Sequence, residues 1–312
     1  MPSGPVAVID IGSNSIKVLI AARDETGRLS ALKLRTIDAR ISAGLGQAAP
    51  RLSEDGMVRG LDAIRALLAD AAEFSPARIV LVATSAVRDA ANGLEFRERV
   101  HAATGHTVRL LSGDEEANLI GRGLTCDPAL ADLRDFYVFD LGGGSLECLA
   151  FRDRRIVQAT SLQLGCVRLM EKFVPDPQQP ATAALVTDIA RHVRDTFARS
   201  GFAFSLPAGT TAIGTGGTLT TVRTILAAKA GRTLDETDPL ITVVQLAEML
   251  AWLGPMSLSA RRQVAGLPPA RADVFPTALG TMLALAGIGG VSTFRNSLYN
   301  LRWGLAAEAM DR

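Results

Sequence analysis

One internal repeat constrains the fold of this 312-residue chain more than any other sequence feature. Val6–Ala21 aligns with Phe136–Phe151, and both segments share an aspartate, the first glycine of a turn, a serine and a following leucine. Each segment has an apolar run, a glycine turn and a second apolar run, a pattern that predicts a β-hairpin on a buried sheet. Because the chain is also longer than one core usually supports, we infer a duplicated domain and expect two related lobes that face one cleft.

The remaining pattern alternates strands with helices. Arg78–Ala83 is typical of a strand, and Ser53–Ala72 has helical periodicity with Ser53 as the N-cap. Ala181–Ala198 also predicts a long helix, and the apolar run Thr277–Val291 is too short for a membrane span and predicts a buried helix. Such alternation indicates an α/β fold with both sheet faces covered.

Composition narrows the classes of partner. The net charge of +1 gives no global reason to expect nucleic acid or a membrane surface as a partner, so any phosphate site has to be built locally. The three cysteines contain no C-x-x-C pair, which argues against a disulfide framework or a zinc knuckle. No basic, apolar leader precedes the first strand, and we expect a cytoplasmic protein.

Each repeat carries an Asp-x-Gly-x-x-Ser turn whose backbone is suited to binding an anion. Successive backbone N–H groups of such a turn form an anion-binding concavity, to which the serine adds a hydroxyl. The candidate phosphate-binding residues are Gly12, Ser13, Asn14, Ser15, Gly142, Gly143, Gly144 and Ser145. Asp10 and Asp140 cannot bind phosphate directly, so they are expected to hold Mg²⁺ or a water on it. The alternative is two ordinary glycine hairpins.

Three further candidates lie outside the repeat. A third glycine turn stands between a strand and a helix N-terminus, where anions are favoured, and comprises Gly214, Thr215, Gly216, Gly217 and Thr218. Arg88 follows a strand and offers a fork of donors to a phosphoryl group, unless it is a surface arginine. Glu115 and Glu116 head a helix, where acids usually serve the helix dipole; the sharper hypothesis is that one glutamate orients an attacking water.

Together these motifs resemble the exopolyphosphatase and guanosine pentaphosphate phosphatase family within the actin-like ATPase and sugar kinase superfold. The matching segments are DIGSNS at Asp10–Ser15, ATSAVRDAAN at Ala83–Asn92, SGDEEA at Ser112–Ala117, DLGGGSLE at Asp140–Glu147, GTGGT at Gly214–Thr218, RAD at Arg271–Asp273 and SLYNLRWG at Ser297–Gly304. The resemblance implies duplicated actin-like, ribonuclease H-like domains, with mixed sheets flanked by helices and a cleft between the lobes. We expect domains at 1–122 and 123–312, with a C-terminal helix near 297–312 packing back on the first.

The resemblance also implies roles for single residues. Glu116 matches the family's catalytic glutamate and Arg88 its phosphate-contacting arginine, while Asp140 and Glu147 match acids implied in binding Mg²⁺ or Mn²⁺. Within the repeat Glu147 replaces Lys17, which predicts a cation on one hairpin and a metal ligand on the other. Leu146, Leu298 and Asn300 depart from the family pattern, and the chain resembles the short, two-domain members.

The favoured hypothesis is an exopolyphosphatase that removes terminal phosphate from inorganic polyphosphate. The alternatives are a pppGpp 5′-phosphohydrolase that forms ppGpp, an ATP-dependent kinase of the same superfold, and a non-catalytic sensor that binds pppGpp or polyphosphate. Polyphosphate is preferred because it needs only a row of anion sites and no pocket for guanine. A homodimer is compatible with the sequence.

Overall fold

The computed structural model describes residues 4–42 and 50–311 of the chain. Two compact units are present: Met1–Asp132 together with Tyr299–Arg312, and Leu133–Leu298. The predicted boundary after residue 122 falls inside a continuous helix, Gly113–Thr125, whereas the observed units divide at Asp132. The C-terminal helix belongs to the first unit.

The first unit is built on a mixed sheet. Its described strands are β1 Val6–Ile11, β2 Ile16–Arg23, β3 Leu29–Ile37, β4 Arg78–Ala83 and β5 Val108–Leu110, in the order β3-β2-β1-β4-β5. Its described helices are α1 Glu54–Ala72, α2 Ser85–Asp89, α3 Gly93–Thr104, α4 Gly113–Thr125 and, after the second unit, α11 Leu301–Met310. β1 pairs antiparallel with β2 and parallel with β4, so the C-terminal ends of β1 and β4 lie at the same edge.

Both faces of this sheet are covered. Alternate residues of β1, such as Ile9 and Ile11, join a core with Leu67 of α1 and Phe96 of α3. On α1, Ser53 accepts a hydrogen bond from the Gly56 amide at 3.1 Å, which confirms the predicted N-cap. Helix α11 contacts β1, β2 and β4, and it packs closely against α4.

The second unit repeats this arrangement. Its described strands are β6 Phe136–Leu141, β7 Leu146–Arg152, β8 Arg155–Leu162, β9 Thr211–Thr215, β10 Leu240–Thr242 and β11 Thr293–Asn296, in the order β10-β11-β9-β6-β7-β8. Its described helices are α5 Cys166–Phe173, α6 Ala183–Ser200, α7 Gly217–Ala230, α8 Val243–Leu253, α9 Leu258–Arg261 and α10 Phe275–Gly289. α10 packs against α5, α6, α7 and α8 in the core, so the predicted apolar helix is confirmed with a slightly earlier start.

The two sheets share more than strand order. In each, the first hairpin is followed by a third antiparallel strand on one side and by a parallel strand on the other. The register between the second and third strands shifts at Ile20/Ala21 in one sheet and at Ala150/Phe151 in the other, positions that the repeat alignment makes equivalent. A shared bulge indicates common origin, because bulges are specific features of a sheet rather than defects. The predicted fold class, duplicated actin-like α/β domains with mixed sheets flanked by helices, is confirmed.

The structure also bears on membrane insertion. Among the described residues, no helix combines the length and apolar character that crossing a bilayer requires.

Candidate active site

The first turn, Gly12–Ser15, connects β1 to β2 at the edge where β4 also ends. Ser13, Asn14 and Ser15 are all buried, and their backbone amides donate to no protein acceptor in the described part of the chain. Buried amides normally have hydrogen-bond partners. The turn therefore has the donors that an anion needs, which is the chemistry predicted for it.

Two segments hold the first turn in place. The Ser13 hydroxyl lies 3.1 Å from the hydroxyl of Ser85, the first residue of α2. On its other side, the Arg40 amide donates to the Asn14 carbonyl at 2.9 Å and the Ser42 amide to the Ser13 carbonyl at 3.2 Å. These bonds use the carbonyls of the turn and leave its amides available.

Arg88 and Glu116 are in direct contact. Arg88 Nη1 donates to Glu116 Oε2 at 3.1 Å and to the Leu111 carbonyl at 3.1 Å, and its Nε lies 3.4 Å from Asp89 Oδ1. The Glu116 side chain is only 9% exposed. Within the described residues, Arg88 Nη2 donates to no protein acceptor, so this nitrogen is available to a phosphoryl oxygen.

The structure also separates the two adjacent glutamates. Glu115 forms a capping box with Ser112 and an ion pair with Arg109 at 3.1 Å. The pKa of Glu115 is lowered, first by the hydrogen bond from the Ser112 amide and then by the bond from Arg109. Glu115 is thus a helix cap, and Glu116, which is buried against Arg88, is the residue of the two with a suitable place for a general base.

The second turn, Gly142–Ser145, has its carbonyls bound by helix α5. The amides of Cys166, Val167 and Arg168 donate to the Gly142 and Gly143 carbonyls at 2.9–3.1 Å, and Arg168 Nε donates to the Gly144 carbonyl at 2.9 Å. The backbone of Gly165 approaches so closely that a Cβ there would lie 2.2 Å from the Gly144 carbonyl carbon. The amides of residues 143–145 have no protein acceptor within the described chain, so this turn also offers its donors to an anion.

Two carboxylates stand side by side on the second hairpin. Asp140 and Glu147 are direct cross-strand partners, and Glu147 is 2% exposed and accepts a hydrogen bond from Ser161 at 2.7 Å. Side chains of such partners lie on the same face, roughly 5 Å apart at Cβ. The equivalent pair on the first hairpin is Asp10 with Lys17, where the charges are opposite. Like charges in direct opposition are unfavourable, so the Asp140–Glu147 pair is stabilised by positive charge close to it.

The third turn, Gly214–Thr218, packs against Asp140 of this pair. Gly216 has φ of 80°, and a Cβ at this position would lie 2.1 Å from Asp140 Oδ1. At Gly217, the first residue of α7, a Cβ would lie 1.8 Å from Arg271 Nη1. The third turn therefore places a carboxylate and a guanidinium directly on a helix N-terminus.

The donor set is compatible with Mg²⁺ or Mn²⁺. Among residues 4–42 and 50–311, no group of three or more His, Cys, Asp or Glu side chains is arranged to hold a metal ion. Mg²⁺ is nevertheless usually bound by one or two carboxylates together with substrate phosphates and waters. Asp140 and Glu147 supply such a pair, while Asp10 has Lys17 as its cross-strand partner.

The predicted site residues fall into two groups. The first unit brings together Asp10, the first turn, Lys17, Arg88 and Glu116, and the second unit brings together Asp140, the second turn, Glu147 and the third turn. Their predicted phosphate, metal and base roles stay predictions.

Four residues that contact these groups were missed. Arg40, Ser85, Ser161 and Arg271 were not assigned roles, although Ser85 and Arg271 lie inside motifs that matched the family. For Arg40 and Ser161 the sequence carries no local signal, because each reaches its partner across 14 or more residues.

Comparison with known proteins identifies the family to which the chain belongs. Residues 19–312 match the sequence model of the Ppx/GppA phosphatase family. The structure is similar to an exopolyphosphatase from Cytophaga hutchinsonii, with a TM-score of 0.88 and 22% identity over 98% of each chain, which shows the fold. It is also similar to the Aquifex aeolicus PPX-GPPA enzyme, with a TM-score of 0.77 and 25% identity over 99% of each chain. Because the family match spans most of the sequence, the chain belongs to the Ppx/GppA phosphatase family.

Proposed function

We propose that the protein is an exopolyphosphatase, which hydrolyses the terminal phosphoanhydride bond of inorganic polyphosphate and releases orthophosphate. The observation that carries this proposal is the pair of turns whose amides have no protein acceptor among the described residues, each next to at least one buried carboxylate. Family membership supports the same class of reaction.

The chain's own residues account for the chemical step. Amides of the first turn and Arg88 Nη2 bind the oxygens of the terminal phosphoryl group, and Glu116 accepts the proton of the attacking water. Water attacks phosphorus in line, the bond to the bridging oxygen breaks, and the shortened chain leaves with the electron pair of that bond. Arg88 holds one oxygen of Glu116 at 3.1 Å, which fixes the carboxylate in one orientation.

Asp140 and Glu147 would hold the metal ion. Mg²⁺ or Mn²⁺ in this place supplies positive charge that neutralises phosphate oxygens. The Ser161 hydroxyl, 2.7 Å from Glu147 Oε1, orients the carboxylate for this role.

Polyphosphate is the preferred substrate because the first and second turns each offer anion donors, which are all that a polyphosphate chain requires. A pppGpp 5′-phosphohydrolase would use the same donors and would need a guanine pocket in addition.

Phosphate release from long polyphosphate, tripolyphosphate, pppGpp and ATP, each with Mg²⁺, Mn²⁺ or EDTA, tests the proposal. We expect the highest kcat/KM with polyphosphate and no release in EDTA. A higher kcat/KM with pppGpp would move the assignment to the guanosine substrate. Transfer of labelled phosphate from ATP to a sugar, without release to water, would establish a kinase, and binding without turnover would establish a sensor.

A further inference from the structure

A short segment, Ala39–Ser42, lies along the first turn, and we call it the strap. Backbone bonds join the strap to the turn at Asn14 and Ser13, at 2.9 and 3.2 Å. A side-chain bond adds to them: Arg40 Nε donates to Asn14 Oδ1 at 3.1 Å. The side chain of Asn14 is thus held by the strap and not by the turn itself.

The hydrogen bond from Arg40 fixes the positions of the oxygen and the nitrogen of the Asn14 side-chain amide. A guanidinium has only donors, so the atom that faces Arg40 Nε has to be the carbonyl oxygen Oδ1. The amide nitrogen Nδ2 is then directed away from Arg40. Asn14 therefore presents a donor, and not an acceptor, on its remaining side.

That donor is buried and has no partner in the part of the chain that the structure describes. Asn14 is 7% exposed, and its Nδ2 bonds to no atom in the described residues. The hydroxyl of Ser42, at the other end of the strap, is also buried and without a partner among the described residues. Buried polar groups are normally hydrogen-bonded, so two such groups beside one turn indicate a polar ligand.

The strap is held in an unusual conformation. Arg40 has φ of 40°, a region that residues other than glycine rarely adopt. Arg59 on α1 holds it there, because Arg59 Nε donates to the Ala39 carbonyl at 3.0 Å and Nη2 to the Arg40 carbonyl at 3.3 Å. A rare conformation persists where the surrounding structure enforces it, often at functional sites.

We propose that Arg40 is a positioning residue, which fixes the polarity of the Asn14 amide so that Nδ2 donates to a phosphate oxygen in the first turn. This role rests on the proposed function and extends it to a residue that does not itself bind the substrate. Without Arg40 the amide could rotate and direct its oxygen towards the phosphate, where like partial charges repel.

A double-mutant cycle tests this coupling. We expect Arg40→Gln to lower kcat/KM for tripolyphosphate by about tenfold to a hundredfold, the range for a lost hydrogen bond to a charged group. In an Asn14→Ala background the same substitution should change kcat/KM by less than about twofold, because residues that act through one another are not additive. Equal effects in both backgrounds would overturn the proposal.

A second variant keeps the test independent of whether Arg40→Gln folds well. Asn14→Asp retains an acceptor for Arg40 Nε and replaces the Nδ2 donor with an oxygen. If the bond only fastened the strap, Asn14→Asp would keep wild-type kcat/KM; we expect a loss at least as large as that of Asn14→Ala. Arg35→Gln, which removes an arginine that pairs with Asp70 at 2.7 Å, is the matched control and should leave kcat/KM unchanged.

Calorimetric titration of the same variants with tripolyphosphate separates this inference from the proposed function. Binding by the wild type without hydrolysis would contradict the exopolyphosphatase assignment alone. Hydrolysis by the wild type with additive effects of Arg40 and Asn14 would contradict the positioning role alone. Absence of both binding and hydrolysis would contradict both.

Discussion

Replacing Gly216 with alanine should disturb the acidic pair without touching a charged residue. Gly216 is the N-cap of α7, with φ of 80° and ψ of −171°. The new Cβ would lie 2.1 Å from Asp140 Oδ1 and 3.1 Å from Asp140 Cγ. Both the backbone at Gly216 and the Asp140 carboxylate therefore have to change.

The two effects have different magnitudes and different readouts. The backbone conformation is almost exclusive to glycine, and alanine there costs about 1–3 kcal/mol of folding free energy. To restore an ordinary contact of 3.4 Å, Asp140 Oδ1 has to withdraw by about 1.3 Å, whereas a metal site tolerates about 0.2 Å. We expect the Mg²⁺ concentration for half-maximal phosphate release to rise at least about tenfold.

Gly231→Ala is the matched control, because Gly231 caps the other end of the same helix. Its φ is 64°, and no atom lies within 4 Å of the position that its Cβ would take. Both variants should melt a few degrees lower than the wild type, at about 2–4 °C per kcal/mol. Only Gly216→Ala should shift the Mg²⁺ titration. A wild-type Mg²⁺ requirement in Gly216→Ala would refute the assignment of Asp140 as a metal ligand.

Three further predictions concern single carboxylates. Glu116→Gln should lower kcat by about 10²–10⁴ while the affinity for tripolyphosphate is kept, and near-wild-type phosphate release would exclude Glu116 as the base. Glu147→Gln should raise the Mg²⁺ requirement by about tenfold or more, which a metal titration of activity measures. Burial alone would raise the pKa of Asp70, but hydrogen bonds from Lys33 and Arg35 outweigh it, so the pKa is lowered. Ionised Asp70 therefore stabilises the folded state, and its contribution to the free energy of unfolding is complete above the unfolded-state pKa of about 3.9 and is lost as the pH falls through the folded-state pKa. With Asp70→Asn, the free energy of unfolding measured in urea should fall less steeply towards acid pH.

The elements that could be predicted are those whose cause is local. Both hairpins follow from apolar runs around a glycine turn, and the observed strands agree closely with those runs. The start of α1 was predictable because Ser53 and the acids after it form a local capping signal.

The contacts that could not be predicted are long-range. Arg40 reaches Asn14 across 26 residues, and no local pattern marks that contact. The return of α11 to the first unit was expected only from the family resemblance, because almost the whole second unit lies between α4 and α11 in sequence. Helix α3 has no strong apolar stripe, and packing of Phe96 and Val100 in the core stabilises it. The family resemblance already singled out Glu116, and the structure adds the physical difference: Glu115 caps the helix, whereas Glu116 is buried against Arg88.

The duplication shows how two copies of one hairpin can carry different charges. Cross-strand partners share a face of the sheet, so the residue opposite the aspartate determines the local charge. Opposite Asp10 that residue is Lys17, and opposite Asp140 it is Glu147. The first hairpin therefore carries its own counter-charge, while the second concentrates two negative charges that a divalent cation can neutralise. The difference at this one register position thus gives the two copies of the turn different charges beside them.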